Sequence, residues 1–261
     1  MTAFADQTGN EIELPGIPAR IISVVPSQTE LLHALGLEQE VIAITRFCIH
    51  PAHWFVNKTK VGGTKNLNLP QIHRLSPDLI IANKEENSRE QIEELMRYYP
   101  VWISDINNLQ GACDMIVQLG EITGKREAAQ TLARSVQAGF RSLLVDQTPI
   151  QAAYLIWQKP YMVAGSGTFI HSMLREAGFD NVFKDHLRYP TISLEELRAK
   201  KPGLILLSSE PFPFTQKHVE ELQQRIPGTR SILVDGEMFS WYGSRLLESP
   251  GYFRELRKSL L

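Results

Sequence analysis

Leu69-Pro70-Gln71-Ile72-His73-Arg74-Leu75-Ser76-Pro77-Asp78-Leu79-Ile80 returns later in the chain as Leu194-Glu195-Glu196-Leu197-Arg198-Ala199-Lys200-Lys201-Pro202-Gly203-Leu204-Ile205. The offset is 125 positions, 194 against 69. Each copy reads as a short helix, a proline that cannot continue it, and an apolar β-branched strand. A unit that repeats at this distance points to two similar lobes. Around both copies the pattern alternates between strand and helix. Arg20–Val25 reads as a buried strand, and Ser27–Gly36 as a helix opened by a Ser27/Glu30 capping box. Val41–Ile44, Asp78–Ala82 and Val101–Ser104 are further strands, with a helix over 88–99.

Two helices follow, Leu109–Ile122 and Lys125 to about Val145, the second with Ala129, Leu132, Val136, Phe140 and Leu143 near a 3.6 period. After Pro149 the alternation resumes. Strands are expected at 152–157, 161–164, 204–207 and 231–234, and helices at 168–177, 193–200, 215–225 and 250–260. The reading is an α/β chain of two Rossmann-like lobes with parallel sheets, residues 1–124 and 148–261, joined by a single long helix over 125–147.

Composition narrows the function. Of 261 residues, 43% are hydrophobic and 21% charged, with 27 Lys+Arg against 29 Asp+Glu. That profile supports a sizeable core, and it lacks the basic bias of a nucleic-acid partner. The longest unbroken apolar run, Ala152–Trp157, is far below the roughly 20 residues of a membrane span. The opening Met1–Asp6 has neither the basic nor the apolar segment of a secretory leader. Cys48 and Cys113 allow one bridge or two free thiols.

Catalytic motifs fail in turn. Gly120-Glu-Ile-Thr-Gly124-Lys125 is one residue short of a phosphate-binding loop, and Gly165-Ser166-Gly167 lacks the third glycine of a dinucleotide fingerprint, Ile170 standing there. No G-x-S-x-G or H-E-x-x-H occurs. Cys48-x-His50-Pro-x-His53 is a metal-like cluster without the fourth ligand of a structural zinc, so no metal site is expected.

In open α/β sheets ligands lie beyond the carboxyl ends of the strands. Pro26, Ser27, Gln28, Thr29, Arg46, Phe47, Cys48, His50, Gly63, Thr64 and Asn83 occupy such places in the first half. Trp157, Gly165, Ser166, Thr168, Glu210, Glu237, Phe239, Trp241 and Tyr242 do so in the second. Helix starts at Ser27 and Thr168 offer N–H groups to an anionic or polar ligand atom, and the aromatics offer flat apolar faces.

Ile22-Ser-Val-Val-Pro-Ser-Gln-Thr-Glu-Leu31, Arg46-Phe-Cys-Ile-His-Pro51, Val61-Gly-Gly-Thr64, Leu75–Ala82, Gly178-x-x-Asn181-Val-Phe183 and Tyr189-Pro190-x-Ile192-Ser193-x-Glu195 occur in order along nearly the whole chain. In this it resembles the class III, helical-backbone substrate-binding proteins of ABC importers, most closely the cobalamin-binding group. The resemblance implies a non-enzymatic monomer that holds cobalamin or another metal chelate in a shallow cleft between two lobes, has no cofactor of its own, and delivers to an importer permease. Ferric siderophores and haem are other ligands in that family. Aligned with the cleft aromatics of the cobalamin binders are Phe47, Thr64, Asn83 and Met238, with Trp241 and Tyr242 beside the last. Where that group has docking acids for the permease stand Pro70 or Gln71 and Ser240, with Glu85, Glu86, Glu210 and Glu237 close by in sequence. The resemblance implies an extracytoplasmic location. The lack of a leader keeps open a cytoplasmic corrinoid-handling relative. A third reading is a chelatase-like enzyme using His50 with Glu85 or Glu210.

Overall fold

The computed structural model describes residues 1–143 and 148–260. The first half contains β1 (Thr2–Ala5), β2 (Glu11–Leu14), β3 (Ile21–Ser23), α1 (Pro26–Ala34), β4 (Val41–Ile44), α2 (Ala52–Asn57), β5 (Thr59–Lys60), β6 (Gly62–Gly63), β7 (Asn66–Leu67), α3 (Leu69–Leu75), β8 (Leu79–Asn83), α4 (Arg89–Met96), β9 (Val101–Ser104), α5 (Leu109–Ile122) and α6 (Arg126–Arg141). The second contains β10 (Ile150–Trp157), β11 (Tyr161–Val163), α7 (Phe169–Glu176), β12 (Phe179–Asn181), β13 (Thr191–Ile192), α8 (Leu194–Ala199), β14 (Leu204–Ser208), α9 (Gln216–Arg225), β15 (Arg230–Val234), α10 (Glu237–Ser240), a 3-10 turn at Ser244–Leu247, and α11 (Ser249–Lys258). The chain forms two compact units. One is Met1–Ile106 with Gln110–Gln137 and Tyr242–Arg245; the other is Asn107–Leu109 with Ala138–Trp241 and Leu246–Leu261.

The first unit is built on a five-stranded sheet in the order β5-β4-β3-β8-β9. All its pairings are parallel, with Ile21 opposite Leu79 and Ile80 opposite Val101. β3 and β8 are buried along their whole length, as expected for apolar strands covered on both faces. Because the strands run in one direction, the segments after β3, β4 and β8 leave from one edge. The repeated sequence lands as α3–β8 in this unit and α8–β14 in the other. β8 lies between β3 and β9, and β14 between β10 and β15.

The second sheet runs β13-β11-β10-β14-β15, with β12 also on β10. β10, β14, β15 and β12 pair in parallel, while β11 is antiparallel to both β10 and β13. The sheet is therefore mixed, where the sequence pattern implied a parallel one. The Gln158-Lys159-Pro160 turn between β10 and β11 is too short for the crossover that a parallel pair needs. Leu155, Val163, Phe183, Leu207 and Val219 share its core.

Other expectations shift for local reasons. α1 starts at Pro26, one residue early, because proline suits the first helical position. Val25 is the N-cap and no side chain caps it. The expected Ser27/Glu30 box is therefore absent: Ser27 lies inside the helix, and the Glu30 carboxylate receives two bonds from Arg245, at 2.5 and 3.2 Å. α6 ends at Arg141, short of Val145; Leu144 and Val145 lie outside the described residues. The β1/β2 hairpin carries little apolar signal in the sequence because its four-residue arms are mostly solvent-facing. Its turn is organised by Asp6, whose carboxylate accepts from the N–H groups of Thr8 and Asn10. Both cysteines are free and buried.

α5 and α6 approach closely because Gly120 has no side chain. A Cβ there would stand 2.1 Å from Cβ of Ala129. Gly120→Ala is therefore expected to destabilise the protein by about 1–3 kcal/mol through overpacking. Gly16→Ala, with nothing within 4 Å of its would-be Cβ, should stay within about 0.5 kcal/mol of wild type. Urea unfolding of the two variants makes the comparison, and equal midpoints would refute the close approach.

Candidate functional site

At the strand-end edge of the first unit, the end of β8 is closed by Asn83. Its side-chain carbonyl accepts from the N–H groups of Glu85 and Glu86, at 2.8 and 3.0 Å, and its amide donates to Ser104 Oγ at 2.9 Å. Asn87 completes the frame: Oδ1 accepts from Asn83 N, and Nδ2 donates to the carbonyls of Val24 and Thr64, both at 3.1 Å. Gln28 Nε2 donates to the same Ser104 hydroxyl. All three amides are buried, and those of Asn83 and Asn87 are spent on the turns after β3, β6 and β8. Asn83 and Gln28 thus build the edge and do not present themselves on it.

Thr29 and Cys48 are also interior. The Thr29 hydroxyl lies 2.7 Å from Ser23 Oγ and 3.1 Å from Cys48 Sγ, and Thr45 Oγ1 is 3.2 Å from the same sulfur. Burial pushes the thiol pKa up, the reverse of an activated nucleophile or a thiolate ligand. Ser27 is buried, with Pro26 half-buried before it. His50 and Thr64 are half-buried, and Arg46 and Phe47 stand out from the loop after β4. Phe47 is 49% exposed, and its ring carries the Arg46 guanidinium at 5.1 Å. Gly63 lies under this pair: a Cβ there would come within 3.0 Å of the Phe47 ring and 3.3 Å of Arg46 Nε.

Residues 242–245 join this unit through two long-range contacts. The Tyr242 hydroxyl donates to Glu86 Oε1 at 2.7 Å, and Arg245 pairs with Glu30. Burial, then the Glu86 charge, raises the Tyr242 pKa well above its ordinary value. Gly243 is in the left-handed region, φ +126°, and a Cβ there would lie 3.2 Å from the carbonyl oxygen of Ser27.

In the second unit, Trp157 ends β10 with 39% of its surface exposed, its ring edge-on to Phe212 at 5.5 Å. Gly165 is enclosed: a Cβ would fall 2.1 Å from the carbonyl oxygen of His186. Ser166 is half-buried and bridges to His186 through its N–H and hydroxyl. Thr168 is buried and caps α7 itself, accepting from His171 N and donating to the Gly165 carbonyl. That helix start is already capped by protein, contrary to the expectation of an open ligand-facing one.

The loop after β14 and the helix after β15 meet at Glu210. Its Oε1 accepts from the Ser240 hydroxyl at 2.5 Å and from Trp241 Nε1 at 2.9 Å. Ser208 bridges Tyr154 and the Glu210 N–H, and Glu237 N bonds Asp235. Phe239 is wholly buried against Tyr154 and Phe253. Met238 and Trp241 are nearly so. Glu85, Glu86 and Glu237 are half-buried on strand-end turns. The sequence did not flag Ser104, Asn87, Ser208 or the Glu30–Arg245 pair, since a polar residue at a strand end carries no signature of its long-range partner.

The described residues group the candidate contacts into an Arg46–Phe47–Gly63 surface and an Asn83–Glu86–Tyr242 frame in one unit, and a Gly165–Ser166–Thr168 turn and a Glu210–Trp241 anchor in the other. A family model described as "Periplasmic binding protein" matches residues 21–232. The chain belongs to this periplasmic binding protein family. It is a substrate-binding protein, and its two α/β units are the family fold. It is 26% identical over 238 residues to a vitamin B12-binding protein of Pectobacterium carotovorum, covering 88% of this chain and 85% of that one. The crystal structure of the periplasmic vitamin B12 binding protein BtuF of Vibrio cholerae superimposes with a TM-score of 0.78 at 22% identity, over 92% and 98% of the two chains. The periplasmic heme binding protein HutB of Vibrio cholerae does so at 0.77 and 22%, over 91% and 98%. Among the described residues of this binding protein, no helix is long and apolar enough to cross a membrane.

Burial raises the Glu210 pKa, helped by the charges of Glu237 and Asp235, against the bonds from Ser240 and Trp241. The folded chain therefore keeps a proton that the unfolded chain, titrating near 4.3, has released. Stability then falls as pH rises from about 4 through the folded value and levels off above it. Glu210→Gln keeps an acceptor for both donors and should abolish that fall. Urea midpoints across that range test it: parallel curves for wild type and variant would refute the assignment. Glu210→Ala, leaving both donors unmet, should cost about 1–3 kcal/mol.

Proposed function

We propose that this binding protein captures a corrinoid, or a closely related metal chelate, on its strand-end surfaces and hands it to the permease of an ABC importer. The observation that carries the reading is the pair of exposed aromatic faces, Phe47 after β4 and Trp157 at the end of β10. Both stand where ligands of open α/β sheets lie, while most of the neighbouring polar side chains are consumed by the frame. A flat macrocycle covering such rings removes apolar area from water, worth about 1.5–3 kcal/mol for a fully buried side chain. Arg46 adds a fixed cation that suits a phosphate or carboxylate arm of a chelate. Ser166, Thr64 and His50, half-buried, supply orientation. The names of the curated relatives, vitamin B12-binding proteins, favour the corrinoid over other chelates.

Capture without chemistry fits these side chains. The buried Cys48 thiol is deactivated, and Glu210 is held by two donors within its own unit. Glu85, Glu86, Glu210 and Glu237, all half-buried near the strand-end edges, are the carboxylates through which the permease would be met. Release of the ligand to the permease then needs no covalent step and no cofactor of the protein's own.

Titration of the ligand-free protein with cobalamin, cobinamide, haem and a ferric siderophore, by absorbance and calorimetry, tests the reading. One corrinoid per chain is expected. Phe47→Ala and Trp157→Ala should each weaken binding about tenfold, equivalent to about 1.4 kcal/mol. Silence across the panel overturns the proposal, and a response to haem alone replaces the corrinoid with haem.

A further inference from the structure

Away from the strand-end edge, three side chains of the first unit converge. His33 lies in the last turn of α1, Glu38 in the connection to β4, and His53 in the first turn of α2. One ligand atom from each lies within 4.8 Å of the other two. His53 Nε2 and Glu38 Oε2 are 3.3 Å apart. Two donors bound tetrahedrally to one zinc at about 2.0–2.1 Å stand about 3.3–3.4 Å apart. The His53–Glu38 pair is therefore already at the spacing a cation would impose. The His33 and His53 rings meet edge to face, centroids 5.1 Å apart, which sets the two imidazoles beside the same carboxylate.

The carboxylate is held from behind. Trp54, fully buried, donates its Nε1–H to Glu38 Oε2 at 2.5 Å. A bond of this kind orients a ligating carboxylate and leaves its other lone pairs outward. Lys58 donates to the Glu38 carbonyl and lies 3.9 Å from Oε1. It tempers the affinity without filling the site.

We propose that His33, Glu38 and His53 form a surface site for a free divalent transition cation of the zinc, cobalt, nickel or copper class. Two imidazoles and a carboxylate, without thiolate, select these ions over Mg2+, Ca2+ and Cu(I). Three protein ligands leave room for water or a further donor. His33 lies in the last turn of α1 and Glu38 precedes β4, whereas Arg46 and Phe47 follow β4; His53 lies on α2, three residues past His50. A bound ion would tie the end of α1 to the start of α2 and stabilise the unit by mass action.

The test uses the full chain without a histidine tag, stripped with a chelator. Co2+ is titrated by visible absorption, Zn2+ by competition, and melting is followed with and without Zn2+. One Co2+ per chain, displaced by Zn2+, is expected, with a melting temperature that rises with Zn2+. His33→Ala and the exposed His53→Gln should each lower affinity more than about tenfold, and Trp54→Phe about 10–100-fold. His218→Ala should change nothing. Circular dichroism checks that each variant is folded, and His53→Gln should still bind the corrinoid as wild type does. The proposal is overturned if Co2+ shows no saturable one-to-one binding, or if folded His33→Ala and His53→Gln bind it as wild type does.

Discussion

The amide of Asn83 is the bond set on which the strand-end edge of the first unit depends. A parallel sheet delivers the ends of its strands to one edge, and there the chain must turn with several N–H and C=O groups still unpaired. Such groups are costly when buried. Asn83 accepts from two of the N–H groups, Asn87 donates to carbonyls of two other turns, and Ser104 receives donors from both Asn83 and Gln28. The neutral amide suits this place. It donates and accepts at once and does not change charge with pH. The backbone N–H groups of Glu85 and Glu86 are tied down by Asn83, and the Glu86 carboxylate then receives the Tyr242 hydroxyl.

The second unit meets the same demand with a charged group. After β14 the acceptor is Glu210, and its donors are a hydroxyl and an indole on the helix that follows β15. A carboxylate accepts more strongly than an amide. In a half-buried place, however, it pays for desolvation, and Asp235 and Glu237 add to that cost. The two edges therefore differ in chemistry although the repeated helix–Pro–strand element underlies both. The Asn83 amide does not titrate, whereas the other edge carries its anchor on a titratable group. Gly236 permits the second arrangement, since a Cβ there would lie 2.4 Å from Ser208 Oγ.

The α/β alternation, the repeated α3–β8 and α8–β14 pair, and the helix pair at 109–141 are legible in the sequence because apolar periodicity and proline are local signals. Thr168 and Ser193 as helix starts are legible for the same reason, their hydroxyls bonding N–H groups three residues on. The strand β11 is legible at 161–164 but its antiparallel direction is not, nor are the other edge strands of two or three residues, since so short a run has no period to read. The site divides likewise. Residue type places Phe47 and Trp157 at strand ends, but nothing local tells that Gln28, Thr29, Cys48 and Phe239 turn inward while Phe47 turns outward. Strand-end position is a property of the chain, whereas exposure is decided by partners such as Ser104 and Tyr154, 76 and 85 positions away from Gln28 and Phe239 (104 − 28 and 239 − 154).

The histidines make the same point for metal chemistry. Cys48, His50 and His53 look like one cluster in the sequence. In the fold the thiol is locked between Thr29 and Thr45, and His53 is carried by α2 toward Glu38 and His33. Sequence spacing sets which side chains can meet within a loop, and the helix that follows sets which do. A cluster with one member withdrawn into the core has lost its soft donor. The set that forms instead, nitrogen and carboxylate oxygen, has a different preference among metals from the one that the sequence spacing implied. Where a chain both captures a chelated metal and carries such a donor set elsewhere, the two must be told apart by donor chemistry. A chelate arrives with its metal's equatorial positions filled and is held by its periphery, whereas the His33–Glu38–His53 group has affinity only for an ion with positions to give.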